Sequence, residues 1–127
     1  MDFWKINGNG NDFITFDLLS APMSDSDLAS LARRLCRRRA SIGADGLLIV
    51  EPSKNAHFRM RLFNADGSEG EMCGNGARCI ARYAYERGIA PADMKFETLA
   101  GPIGARVDKK FVEIDLGVQS FESGWIE

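Results

Sequence analysis

The chain has 127 residues, of which 45% are hydrophobic and 27% charged, and its formal net charge is −2. That length suits one domain with a real hydrophobic core. The near balance of charge gives no case for nucleic acid or an anionic membrane as a partner. No window nears eighteen consecutive apolar residues, so nothing reads as a membrane span.

Taken in chain order, residues 2–6 and 13–17 read as two short strands around a polar, glycine-rich turn. Residues 25–38 read as a helix. Ser24 is its N-cap, with Asp27 three positions on, and Leu28, Leu31, Ala32, Leu35 and Cys36 form one buried stripe. Leu47–Val50 is a short apolar strand. His57–Phe63 alternates, with Phe58, Met60 and Leu62 on one side and Arg59 and Arg61 on the other, which predicts a half-buried strand. Asn75–Arg87 reads as a second helix, stopped by Gly88 and Pro91. Its small apolar residues lie on most faces, as in a helix enclosed by other structure. Met94–Leu99, Ala105–Val107 and Phe111–Leu116 complete the strands. The order ββα ββα βββ lacks strict βαβ alternation and predicts an α+β fold, a mixed sheet curling around the second helix as a single domain over residues 1–127.

The start of the chain shows no basic region followed by an apolar stretch, so no secretory signal is read. With three cysteines, Cys36, Cys73 and Cys79, a reducing cytoplasm is the expected setting. Cys36 and Cys79 read as core. A metal site has little support, because His57 is the only histidine and no Cys-x-x-Cys occurs. A Cys–His pair would require His57 to lie near Cys73. The run Arg33, Arg34, Arg37, Arg38, Arg39 reads mainly as a solvated helix face.

The richest segment runs from Asn64 to Arg78, Asn-Ala-Asp-Gly-Ser-Glu-Gly-Glu-Met-Cys-Gly-Asn-Gly-Ala-Arg. It begins where a strand ends and finishes inside a helix. Cys73 therefore comes just before a helix N-terminus, whose unpaired N–H groups and positive dipole end suit a carboxylate or phosphate and favour a thiolate. Local chemistry leaves two readings of Cys73 open, a small buried residue or an acidic, functional thiol.

Four blocks give the chain a wider resemblance: Lys5–Phe13, Ile42–Leu47, Asn64–Arg78 and Glu97–Gly101. In order and spacing they resemble the N-terminal half of the diaminopimelate epimerase family, racemases that need neither pyridoxal phosphate nor metal. The resemblance implies a diaminopimelate epimerase-like fold of two pseudo-symmetric domains, of which this chain is one. It further implies an isomerase that interconverts L,L- and meso-diaminopimelate for lysine and peptidoglycan precursor synthesis, with no cofactor. One cysteine takes the α-proton as another donates to the opposite face. By motif match Cys73 is the first of these, the backbone of Gly74 and Asn75 holds the α-carboxylate, and Asn11 and Asn64 orient the substrate. The second cysteine belongs to a C-terminal half that this chain lacks, so the isolated chain is expected to be inactive.

Departures from the family's pattern are Asn9 in place of a small or apolar residue, Ser41 where a glycine is common, and Gly46 where some members carry a glutamine. Three further readings remain: a racemase half for another amino acid such as histidine or proline; a non-catalytic carboxylate-binding domain, possible as a homodimer with Cys73 from each copy across a shared cleft; and a redox-sensing role for Cys73.

Overall fold

The computed structural model describes residues 4–8, 11–36, 45–71, 74–109 and 112–115. The elements are β1 (Trp4–Gly8), β2 (Asn11–Asp17), α1 (Asp25–Leu35), β3 (Gly46–Glu51), β4 (Phe58–Asn64), β5 (Glu69–Gly70), α2 (Gly74–Glu86), β6 (Asp93–Thr98), β7 (Gly101–Val107) and β8 (Val112–Asp115). The order matches the sequence reading except for β5, a two-residue strand that sequence gave no hint of. Residues 2, 3, 37, 38, 111 and 116, included in predicted elements, lie outside the described residues.

All eight strands form one mixed sheet in the order β1-β2-β3-β4-β6-β7-β8, with β5 added to β4. The pairs β2–β3 and β4–β6 are parallel and the others antiparallel. The sheet curls around α2, which touches the outermost strands β1 and β8 as well as β2, β3, β4 and β7. Its Gly76, Ala77, Cys79, Ile80, Ala81, Tyr83 and Ala84 are buried, and their small size lets the strands approach on several sides.

The helix ends in a Schellman motif. Gly88 adopts φ +73°, its N–H donates to Tyr85 O at 3.1 Å, and Ile89 N–H donates to Ala84 O at 2.8 Å. The Ile89 side chain then packs on the core.

α1 covers the opposite face. Its predicted cap is present, with Asp27 N–H donating to Ser24 Oγ at 3.2 Å. Leu28, Ala32 and Cys36 are buried against Ile14, Phe16, Leu18, Leu47, Ile49 and Phe63. The apolar run of β3 is thus explained, because Leu47 and Ile49 face α1 while Leu48 and Val50 face α2. Cys36 and Cys79 are buried thiols, as read from the sequence. Among the described residues, no helix is long and apolar enough to cross a membrane.

The predicted solvent face of β4 is a correction. Phe58, Met60 and Leu62 do face α2, but α1 reaches across the other side and buries Arg61 to 9% exposure. The guanidinium is held there by carboxylates. Nε and Nη2 donate to Glu69 at 2.9 and 2.8 Å, and Nη1 donates to Asp25 at 3.0 Å and Glu51 at 3.2 Å. It also lies 5.1 Å from the centre of the Phe63 ring. Its pKa is raised above the ordinary arginine value, chiefly by the bond to Glu69; burial works the other way, while Asp25 and Glu51 reinforce the rise.

One buried group contributes less well. Thr15 is fully buried, and its Oγ1 has no hydrogen-bond partner among the described residues. Thr15→Val keeps the shape and removes the stranded hydroxyl, so a gain of about 1 kcal/mol in urea unfolding is expected. A loss of stability would mean that the hydroxyl is satisfied in solution.

Candidate active site

The register of the sheet brings the first three sequence blocks together. Gly8 pairs with Asn11, Phe13 with Gly46, and Gly46 with Asn64. The end of β1, the starts of β2 and β3 and the end of β4 therefore share one edge of the sheet. β6 runs parallel to β4, but its end pairs with the start of β4, Phe58 with Phe96 and Arg59 with Glu97. The β6–β7 turn (residues 98–101) thus points the same way yet lies beside Leu62 and Gly70, short of Asn64.

α2 starts at the Asn64 edge too. Its C-terminal half is anchored at the opposite edge, where Tyr83 Oη donates to Asp17 Oδ2 at 3.4 Å and Arg87 pairs with the same carboxylate at 3.8 Å. Trp4 meets Tyr83 edge-on at 5.6 Å, and Arg87 lies over both rings at 5.5 Å. A helix fixed at that end points its N-terminus at the edge carrying Asn64. His57, by contrast, precedes β4 and accepts from Lys95 N–H at 3.0 Å, which sets it at the end of β4 remote from Asn64.

Among the site residues named from the sequence, Asn64, Gly74 and Asn75 are described in full. Asn64 closes β4 with the parity of Met60 and Leu62, which face α2. Its backbone N–H donates to Ser68 O at 2.8 Å and its Nδ2 to Ser68 Oγ at 3.1 Å, so the amide is tied to the turn that follows. Gly74 and Asn75 are the first two residues of α2, and the first turn carries no acidic side chain. Its N–H groups, which lack carbonyls within the helix, are suited to an anion. The Asn75 side chain turns back along the helix, its Oδ1 accepting from Arg78 Nη2 at 3.0 Å. Asn11 opens β2, but its side chain, like the whole of Cys73, lies outside the described residues. The same is true of Asn9 and Ser41.

Three supports escaped the sequence reading. Asp45 Oδ2 accepts from Asp12 N–H at 2.7 Å while its own N–H donates to Asp12 O at 2.8 Å, which pins the residue next to Asn11. Arg78 lies over the first turn of α2, its guanidinium 3.6 Å from where a Cβ on Gly74 would fall, and adds positive potential there. Asp66 Oδ1 accepts from Ser68 N–H at 2.9 Å and Ser68 Oγ at 2.6 Å, so its carboxyl is held below the usual aspartate range by Ser68. A depressed value of this kind stabilises the folded turn above the ordinary aspartate pKa, and the benefit fades as pH falls through the lowered one. Asp45 and Arg78 stood inside quoted blocks, but nothing in spacing alone assigned them partners.

Gly67 is buried at φ +93°, and a Cβ on it would collide with Arg33 and come within 3.1 Å of Ala29 O. The turn after Asn64 is thereby pressed onto α1. Arg33, although exposed, has a structural contact here in addition to the solvated role read from the sequence. At the fourth block, Thr98 Oγ1 donates to Gly101 O at 2.7 Å and accepts from Ala100 N–H at 3.0 Å, with Gly101 at φ +112°. That block builds a tight turn.

Gly46 has its own steric reason. A Cβ there would fall 2.8 Å from Phe63 O, a backbone atom that cannot move alone. Gly46→Ala is expected to cost about 1–3 kcal/mol by chemical denaturation. A neutral result would show that β3 and β4 can separate without penalty.

Solved structures share this fold. A phenazine biosynthesis protein of the PhzF family from Enterococcus faecalis superposes with a TM-score of 0.71 at 12% identity, over 87% of this chain and 41% of that one. A hydroxyproline epimerase from Agrobacterium vitis gives 0.59 at 14% identity, over 88% and 40%. The diaminopimelate epimerase family model matches residues 3–121, and the chain belongs to that family. It is 49% identical to the diaminopimelate epimerase of Moorella thermoacetica over 96% of this chain and 46% of that protein. For that of Halothermothrix orenii the figures are 48%, 97% and 45%. The chain thus spans just under half the length of the curated relatives it matches.

Proposed function

We propose that this chain is the N-terminal half of a diaminopimelate epimerase and contributes one of its two bases. The observation that carries the reading is the convergence of the first three blocks, at the ends of β1 to β4, on one edge of the sheet, with the start of α2 directed at that edge. In this mechanism Cys73, as thiolate, removes the α-proton. The N–H groups of Gly74 and Asn75 hold the α-carboxylate and stabilise the negative charge that spreads onto it. A thiol from the second half delivers a proton to the opposite face and inverts the centre, and the two sulfurs exchange roles for the reverse reaction. Asn11 and Asn64 orient the substrate, so that the Cα–H bond is aligned with the sulfur. No pyridoxal phosphate or metal takes part, and the reaction serves lysine and peptidoglycan precursor synthesis in the cytoplasm.

The test is interconversion of L,L- and meso-diaminopimelate, read by separating the two isomers after incubation with the 127-residue chain alone. One base cannot serve both faces, so no turnover is expected. An enzyme-like rate would refute the half-site reading.

A further inference from the structure

The Asn64 amide is the first member of a chain of side-chain hydrogen bonds. Its Nδ2 donates to Ser68 Oγ at 3.1 Å, and Ser68 Oγ donates to Asp66 Oδ1 at 2.6 Å. The Asp66 carboxyl is held below the usual aspartate range chiefly by Ser68, so at neutral pH it is ionised and can only accept. A hydroxyl has one proton to give, and here Asp66 takes it. Ser68 therefore turns a lone pair toward Asn64, which only the NH2 end of the amide can meet. The reverse facing would set Asn64 Oδ1 against that lone pair. The carboxylate at the far end of the chain thus dictates which way the amide faces.

The backbone of the turn is held independently. Gly67 N–H donates to Asn64 O at 2.9 Å, Asn64 N–H donates to Ser68 O at 2.8 Å, and Gly67 sits against Ala29 and Arg33 of α1. A Cβ on Gly70 would fall 3.1 Å from Asn64 Nδ2 and 3.4 Å from Oδ1, so the amide also rests against the backbone of β5. Among the described residues no group donates to Asn64 Oδ1, which remains an acceptor at the edge where α2 starts.

We infer that Asp66 and Ser68 are positioning residues for the reaction: they fix the facing of the Asn64 amide, drawing Nδ2 to the turn and leaving Oδ1 for the substrate. This role rests on the reading of Asn64 as a substrate contact. Without the Ser68 hydroxyl the amide is free to flip, and a substrate group aligned for an oxygen then meets NH2 for part of the time.

The facing is tested by NMR on the 15N-labelled 127-residue chain. In wild type the Asn64 side-chain NH2 should be rigid by heteronuclear relaxation and show NOE contacts to the Ser68 β protons. Ser68→Ala is expected to abolish the rigidity while the backbone N–H signals of Asn64 and Gly67 stay in place. Ser68→Thr, which keeps the hydroxyl, should preserve it. Asp66→Asn, whose own amide can donate to Ser68 Oγ, should populate both facings. Rates are read with the chain joined to the C-terminal half of the Moorella thermoacetica relative. There Ser68→Ala should lower kcat/KM for diaminopimelate about three- to tenfold, and should have no further effect once Asn64 is replaced by alanine.

An Asn64 amide as rigid in Ser68→Ala as in wild type would overturn the positioning role and leave the epimerase reading standing. The same holds if Ser68→Ala costs as much without the Asn64 side chain as with it. An Asn64→Ala enzyme as fast as its parent would instead remove Asn64 from the substrate site, and this role with it.

Discussion

Joined to the C-terminal half of the Moorella thermoacetica relative, the chain is expected to epimerise diaminopimelate, and the same chimera carrying Cys73→Ala is expected to lose about 10²–10⁴-fold in rate. The range is that of a general base lost from a proton-transfer step. The loss should appear in both directions of reaction. Under the proposed mechanism Cys73 is the base that takes the proton from one isomer and the acid that returns one to the other. The variant should still exchange deuterium slowly into whichever isomer presents its proton to the remaining thiol, without inversion. Equal rates for Cys73→Ala and its parent would remove Cys73 from the mechanism. Cys79→Ala serves as the control, since that thiol is packed in the core beside the sheet and its removal should act on stability alone.

Arg61→Met is expected to cost about 3 kcal/mol in unfolding free energy. Methionine fills much of the arginine's volume, so the loss comes mainly from carboxylates deprived of their partner. Glu69 and Glu51 keep 25% and 20% of their side-chain surface, which lets water relieve part of the penalty. The figure therefore sits at the low end for a broken buried pair. Asp25, mostly in solvent, adds little. Set against the roughly 5–15 kcal/mol of an ordinary domain, the variant should still fold, with its urea midpoint displaced. A change below about 1 kcal/mol would mean that the pairs around Arg61 do not persist in water.

The elements best foreseen from sequence were those whose signals are local. Ser24 with the Leu28, Ala32, Cys36 stripe announced α1, and Gly88 announced the end of α2, because caps and helical periodicity act within a few residues. β5 was invisible, since Glu69-Gly70 has no alternation and pairs only because Arg61 and the turn at Gly67 bring it back to β4. Arg61 was misjudged for a related reason. Alternation shows which residues share a face, but it cannot show that α1, far away in sequence, will cover that face. Asn64, Gly74 and Asn75 were nominated through the resemblance, and of these the sheet register places only Asn64, opposite Gly46. Spacing alone did not reveal the bond between Asp45 and Asp12, or Arg78 above the first turn of α2.

The strands that flank the curl, β1 and β8, are far apart in sequence, and both pack against α2. That arrangement has a consequence for the order of folding. The hairpins β1–β2, β6–β7 and β7–β8 close over short stretches, whereas the parallel pairs β2–β3 and β4–β6 must each wait for a helix to be laid down between their strands. The enclosure of α2 is thus expected to be a late event, limited by chain closure rather than by helix formation. On a ribosome, α2 would leave the exit tunnel well before β8 and remain exposed on that side until β8 arrives. During that interval its small apolar faces would need a chaperone or the rest of the sheet to keep them from other chains.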